Sequence, residues 1–339
     1  MNFKSLAMSG SSDSIRVMRA VIYRRYGPPN VLALEEIEKP VPTDDEILIR
    51  VRAASVNPYD WHFMRGEPYP LRLMAGVRQP KNPRLGADVA GEVESAGKNV
   101  ARLKPGDAVF GTCRGSFAEY ACGREAMLAI KPDNVTFEQA ASVGIAAMTA
   151  LQGLRDKGHI QTGHKVLING AAGGVGTFAV QIAKTCGAEV TGVCSTRNVE
   201  MVRSIGADHV VDYIREDFTK SGERYDIILD CVGNHSLMAC GRLLSAKGIY
   251  VAAGGKAGPW MVGVLLGMIT SRVMSMGSRK FLSLLASINK EDLAHVGELI
   301  VAGQVTPVID RRYKLSEAAD AVRYLEEGHA RGKVVICCS

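Results

Sequence analysis

Apolar and polar positions along the chain follow two rhythms in turn. Over the first hundred-odd residues the apolar positions come in short alternating runs, at 19–23, 32–38, 46–53, 90–97 and 107–111, separated by breakers such as Gly27-Pro28-Pro29. A period of two with Gly and Pro between the runs predicts short strands, and so a β-rich first domain. Residues 136–154 are rich in Ala and predict a helix. From there the rhythm changes. Continuous apolar runs at 165–169, 189–194, 208–212, 225–233 and 248–255 alternate with stretches of helical spacing. Strands that are apolar throughout are buried on both faces, which predicts a parallel sheet between two layers of helices. The fold class is therefore α/β.

The rest of the chain is read in the same way. The apolar stretch at 259–269 is too short to cross a bilayer. It reads as a lid over the cleft and an apolar wall for a hydrophobic substrate, with peripheral membrane contact as the alternative. Residues 272–285 predict a sixth strand and a turn, and 290–302 a helix. Strands at 307–310 and 333–336 return to the first domain, with an amphipathic helix at 316–325 between them. Residues 1–17 are polar and Ser-rich, lack the apolar core of a secretory signal, and are expected to form a flexible tail.

Length and charge narrow the classes. A chain of 339 residues has room for two domains. Its net charge of +6 comes without a long basic run, so nucleic acid is not implied, and an anionic cofactor is compatible. The eight Cys are scattered with no C-x-x-C pair, which argues for a reducing compartment, taken as the cytoplasm, and against a disulfide framework.

The chemistry sits in the turn after residue 169. Ala171-Ala172-Gly173-Gly174-Val175-Gly176 has the spacing A-x-G-x-x-G between a strand and a helix, and a second strand follows. Small residues there let the backbone approach a pyrophosphate, and the helix N-terminus presents its amides to the anion. The end of that second strand tells one dinucleotide from another. An NAD site carries an acid there to bind the ribose 2′-hydroxyl. Here Ser195, Thr196 and Arg197 occupy the place, and no acid occurs before Glu200. Two hydroxyls and a guanidinium suit a 2′-phosphate, so the expected cofactor is NADPH.

Other motifs carry a resemblance. The run from Ala171 to Gly176, Asp230-Cys231-Val232-Gly233, Asn57-Pro58-Tyr59-Asp60, Gly86-Ala87-Asp88, Lys104-Pro105-Gly106-Asp107 and Gly332-Lys333-Val334-Val335 resemble the medium-chain dehydrogenases/reductases, and within them the zinc-free quinone oxidoreductase and enone reductase branch. The resemblance covers essentially residues 18–336. It implies a discontinuous GroES-like catalytic domain at 18–144 and 288–339, a Rossmann doubly wound domain at 145–287, and a homodimer. Zinc enzymes of the family carry Cys where this chain has Val56-Asn57, and Gly-His-Glu where it has Gly86-Ala87-Asp88. A catalytic zinc needs about three protein ligands, so no metal site is expected. The implied reaction is hydride transfer to a hydrophobic quinone or conjugated enone, whose own carbonyl delocalises the incoming charge.

The same resemblance assigns residues. Asn57 and Thr149 would meet the nicotinamide end. Gly173, Gly174, Val175 and Gly176 would hold the pyrophosphate, and Ser195, Arg197 and Tyr213 would surround the 2′-phosphate. Val232-Gly233 and Gly254-Gly255 would line the adenosine and nicotinamide sides, and Lys333 would reach the cofactor from the C-terminal return. For protonation Tyr69 comes first and Tyr59 second. His62, standing where relatives often carry a Tyr, is a third candidate, since imidazole titrates near neutrality; solvent is the remaining proton source. Two other readings stay open. One is an enoyl-thioester reductase with Arg72, Arg78 and Lys81 near the mouth. The other is an NADPH-binding protein with little turnover.

Overall fold

The alternating runs of the first part do form strands. In the computed structural model, which describes residues 17–254 and 278–338, these are β1 (Val17–Ile22), β2 (Ala33–Glu38), β3 (Glu46–Val56), β4 (Asp88–Ala96), β5 (Ala108–Thr112), β6 (Tyr120–Arg124) and β7 (Leu128–Ile130). The continuous runs become β8 (Lys165–Asn169), β9 (Glu189–Cys194), β10 (His209–Asp212), β11 (Tyr225–Asp230), β12 (Leu244–Ala252) and β13 (Lys280–Ser283). The return is β14 (Ile309–Lys314) and β15 (Lys333–Cys337). The helices are α1 (Pro58–Arg65), α2 (Leu71–Ala75), α3 (Phe137–Ala141), α4 (Gly144–Gln152), α5 (Gly174–Thr185), α6 (Val199–Ser204), α7 (Leu237–Arg242), α8 (Lys290–Val301) and α9 (Ala318–Glu326).

Two large sheets result. The first runs β14-β15-β3-β4-β5-β7, with β6 also on β3, so the C-terminal strands close onto the N-terminal ones as expected. The second runs β10-β9-β8-β11-β12-β13, and every pairing in it is parallel. Its strands bury both faces. Val166, Ile168, Ile227 and Leu229 pack on one side with Ala146, Ala147, Ala150 and Ala179. Leu167, Ile228 and Tyr250 pack on the other with Phe218 and Leu243. Small side chains on α4 and α5 let these two helices lie close together.

The order of the parallel sheet reverses between β8 and β11, where Asn169 faces Asp230 at the carboxyl ends. Ligands of doubly wound sheets bind outside that switch point. In the first sheet the register brings Ser55 opposite Asp88 and Val56 opposite Val334, so the ends of β3, β4 and β15 meet at one edge.

One expected element is split. The helix at 136–154 is interrupted after α3 and resumes at Gly144. A Cβ at Gly144 would lie 2.2 Å from Asp88 Oδ1. The interruption lets a carboxylate from β4 reach the start of α4. Gly255 and the stretch 259–269 lie outside the described residues, as do residues 1–16.

Candidate active site

The edge where β3, β4 and β15 meet carries four polar side chains, all of them buried: Ser55, Asn57, Asp88 and Lys333. Buried polar groups must find partners, and these find one another. Asp88 Oδ2 accepts from Ser55 Oγ at 2.7 Å, Asn57 Nδ2 at 2.9 Å and Lys333 Nζ at 3.2 Å. Its Oδ1 accepts from the Ile145 amide at 2.8 Å, so Asp88 caps α4 from a distant strand and sits at the positive end of its dipole. Lys333 Nζ also donates to Asn57 Oδ1 at 2.6 Å. Because Lys333 only donates and Asp88 only accepts, the orientation of the Asn57 amide is fixed.

This cluster touches the Gly-rich turn. The Gly332 amide donates to the Ala172 carbonyl at 2.8 Å, and the stem of Lys333 runs past Gly174, where an added Cβ would lie 3.1 Å from its Cδ. Gly176 must be glycine for another reason: a Cβ there would lie 2.1 Å from the Gly170 carbonyl, so strand and helix pack directly. Gly173 is the N-cap of α5, with no side chain capping the helix and no acid in its first turn. The first turn of α5, from Gly174 to Gly176, thus presents helix N-terminal amides with no capping side chain, beside a lysine. That donor set fits the pyrophosphate of a dinucleotide.

Thr149 lies on α4 one turn after the residue that Asp88 caps. It is buried, and its hydroxyl donates to the Ile145 carbonyl at 2.7 Å. On the other side of the switch point Asp230 Oδ1 accepts from the amides of Val232 and Gly233 at 2.9 and 2.8 Å and from Asn169 Nδ2 at 2.9 Å. Its Oδ2 accepts from the Tyr250 hydroxyl at 2.6 Å, and the Gly254 amide bonds its backbone carbonyl. Burial and the neighbouring carboxylate push the Tyr250 hydroxyl far above its ordinary range. Asp230 is therefore the post on which the loops after β11 and β12 are hung.

The far end of the cleft holds the other predicted group. Asn198 Nδ2 donates to Ser195 Oγ at 3.1 Å, and Thr196 Oγ1 donates to Asp212 Oδ2 at 2.6 Å. The Thr196 hydroxyl, and with it the Ile214 amide, hold the Asp212 carboxyl below its usual range. Arg197 Nη2 donates to the His329 carbonyl at 2.6 Å, tying this corner to the loop before β15. Tyr213 follows β10 and is exposed.

The three proton-donor candidates lie on α1 and in the loop after it, with Tyr59 next to Asp60. Tyr69 is 70% exposed, with Arg72 over its ring at 4.9 Å. Tyr59 is 41% exposed and packs its ring on Phe63 at 4.3 Å. Burial, and next the charge of Asp60, raise its hydroxyl, so it keeps its proton. His62 stacks on Trp61 at 3.7 Å, and its Nδ1 lies 2.8 Å from the Glu67 carbonyl. A carbonyl only accepts, so Nδ1 carries the hydrogen and Nε2 of the neutral ring is an acceptor. Burial lowers the imidazole below its ordinary value and favours that neutral ring. Arg72 donates to the Gly66 and Arg65 carbonyls, so it serves the loop rather than the mouth.

Sequence reasoning missed Ser55, Asp88, Asp60, Asp212 and Asp230 as site residues. The available signal was an acid at the end of an apolar strand, the amino end at Asp88 and the carboxyl end at Asp212 and Asp230.

Comparison with known proteins agrees with this geometry. Residues 43–133 match the alcohol dehydrogenase GroES-like domain, and residues 205–336 match the zinc-binding dehydrogenase domain. The chloroplast envelope quinone oxidoreductase homolog of Arabidopsis thaliana is 33% identical over 95% of this chain and 98% of its own. The chain belongs to the medium-chain dehydrogenase/reductase family, in its quinone oxidoreductase and enone reductase branch. An NADPH-dependent alkenal/one oxidoreductase, also from Arabidopsis thaliana and chloroplastic, is 34% identical over 98% of this chain and 83% of its own. The solved quinone oxidoreductase of Coxiella burnetii superposes with a TM-score of 0.85 at 31% identity, over 96% of this chain and all of that one. The chain is an oxidoreductase of the nicotinamide-dependent kind. Among the described residues no group of three or more His, Cys, Asp and Glu is arranged to hold a metal ion, and no helix is long and apolar enough to cross a membrane.

Proposed function

We propose that this chain is an NADPH-dependent reductase that passes a hydride to a quinone or an α,β-unsaturated carbonyl without a catalytic metal. One observation carries the reading. At the place where zinc relatives hold their metal, Val56, Asn57 and Ala87 offer no thiolate or imidazole. The acid that remains, Asp88, is fully engaged by Ser55, Asn57, Ile145 and Lys333. Nothing there can serve as a Lewis acid toward an alcohol, so the acceptor must need little activation.

When bound, NADPH supplies the hydride. The residues of the chain then align and shield. The α5 amides and Lys333 hold the pyrophosphate, Asn57 and Thr149 border the nicotinamide end, and Ser195, Thr196, Arg197 and Tyr213 receive the 2′-phosphate. Precise alignment is the main contribution such a site makes to the rate. The proton that completes reduction comes from Tyr69, Tyr59 or solvent; the His62 tautomer argues against donation from Nε2. We divide the chain at residues 145 and 288 into the two domains, place it in the cytoplasm, where eight unpaired thiols persist, and pair it as a dimer through the edge strand β13.

The deciding experiment is NADPH consumption by chelator-treated protein with a simple alkyl enone, with NADH as control. Turnover that favours NADPH supports the reading. Activity that appears only after zinc is restored overturns it. Binding of NADPH without turnover moves the assignment to a thioester substrate or to a binding protein.

A further inference from the structure

The buried cluster holds one side chain that the reaction above does not use. Asp60 is the third residue of α1 and is fully buried. Its Oδ2 accepts from the Asn57 amide at 2.7 Å, while its buried Oδ1 has no hydrogen bond of good geometry and only the Gly86 amide facing the carboxyl. The charged and titratable groups that face it are Asp88 from β4, Lys333 from β15, Tyr59 from its own helix, and Tyr23 from the segment after β1; the amides of Asn57 and Gly86 face it too. Two carboxyls therefore share one ammonium. Lys333 spends its bonds on Asp88 and Asn57, not on Asp60.

An ionised Asp60 leaves an uncompensated charge in the interior, which is costly. A protonated Asp60 leaves the cluster neutral. Burial pushes this carboxyl up to about 8; the charge of Asp88 adds to the rise, and the Asn57 amide, Lys333 and the Gly86 amide oppose it. The stem of Lys333 passes Gly174 at the start of α5, where a pyrophosphate adds negative charge and draws on the same ammonium. An anion that draws on Lys333 weakens the one positive charge facing Asp60 and so favours the neutral form of the carboxyl.

We propose that Asp60 is a positioning residue whose proton is linked to dinucleotide binding: the site takes up a proton at Asp60 as the anionic dinucleotide binds, and ionisation of Asp60 weakens the grip. The proposal rests on the dinucleotide reading of the α5 turn. A neutral Asp60 leaves Lys333 to Asp88, Asn57 and the pyrophosphate, whereas an ionised Asp60 competes for that ammonium.

The test is calorimetric titration of NADP⁺ into the full chain at pH 8.5, in two buffers of different ionisation enthalpy. The 2′-phosphate, with a second pKa near ~6, is a dianion throughout this range. The wild type is expected to take up a fraction of a proton per dinucleotide, and its Kd to weaken by up to roughly tenfold per pH unit above pH ~8. Asp60→Asn is expected to take up none and to show a flat Kd. Saturable binding by the wild type with no proton uptake and a flat Kd overturns the proposal and leaves the dinucleotide site standing, as does equal uptake by Asp60→Asn. Failure to bind NADP⁺ or NADPH at any pH overturns the site and the proposal together. If Asp60→Asn does not fold, the proton count and pH profile of the wild type decide alone.

Discussion

Asp88 receives four donors, one of them the buried ammonium of Lys333. Removing one partner of a buried ion pair costs about 3–5 kcal/mol, because the other charge is left stranded. Asp88→Asn is therefore expected to lower stability by that order in urea unfolding, and adding Lys333→Met to recover part of the loss. If the double variant is no more stable than Asp88→Asn, the pairing is not what holds these residues. Asp60 gives a pH dependence of definite sign. Its carboxyl is raised to about 8 in the folded chain, against about 4 in an unfolded one. Over that interval the native state holds a proton that the unfolded state lacks, so this contribution is present at low pH and is lost as pH rises through about 8. The melting temperature of Asp60→Asn should rise relative to wild type between pH 5 and 9; a constant difference would refute the assignment. For the proton donor, Tyr59→Phe and Tyr69→Phe separate the candidates. A loss of about 10²-fold or more in kcat marks the donor, and retention by both marks solvent.

At the scale of elements, the start of α4 decides where the site lies. Residues 136–154 read as one helix because their Ala-rich pattern is continuous. No local signal shows that Asp88, far away in sequence, bonds the Ile145 amide and needs a glycine next to it. Gly144→Ala is expected to cost about 1–3 kcal/mol by overpacking, although alanine is the better helix former, and thermal melting checks the sign. The end of α4 is tied down as well. Gln152 and Arg155 both bond Asp292 on α8, and Asn289 caps that helix by accepting from the Asp292 amide at 2.8 Å. Arg155, Gln152 and Asn289 hold the Asp292 carboxyl at about 2. Its share of stability is present above the ordinary carboxylate range and fades as pH falls toward that value.

At the scale of the whole molecule, the two sheets are joined where the cofactor would lie. Gly332 bonds Ala172, Lys333 passes Gly174, and Arg197 bonds the His329 carbonyl. The C-terminal return thus contacts both the pyrophosphate turn and the proposed 2′-phosphate pocket. Arg197→Ala is expected to raise KM for NADPH by about 10-fold or more through loss of a charge-assisted contact, with little change for NADH. An equal effect on both cofactors would mean that Arg197 acts through His329 rather than through the phosphate.

Much of this was legible in the chain. Period-two runs marked the β-rich part, continuous apolar runs marked the parallel sheet, and the Gly-rich run marked the turn between β8 and α5, because each follows from local sterics and from burial of the segment itself. Asn57, Gly174, Arg197 and Lys333 could be picked out by motif. That Lys333 bonds Asn57 and Asp88, with the buried carboxyl of Asp60 left beside them, could not. Those contacts depend on the register of β3 against β4 and β15 and on the route by which the chain returns. Local pattern alone sufficed for the strands of the parallel sheet and for the turn that suits a pyrophosphate, but not for α1, α2, β6, β7 or the break before α4. Tertiary structure alone decided which buried charges meet, because desolvated polar groups take partners according to distance in space and not along the chain.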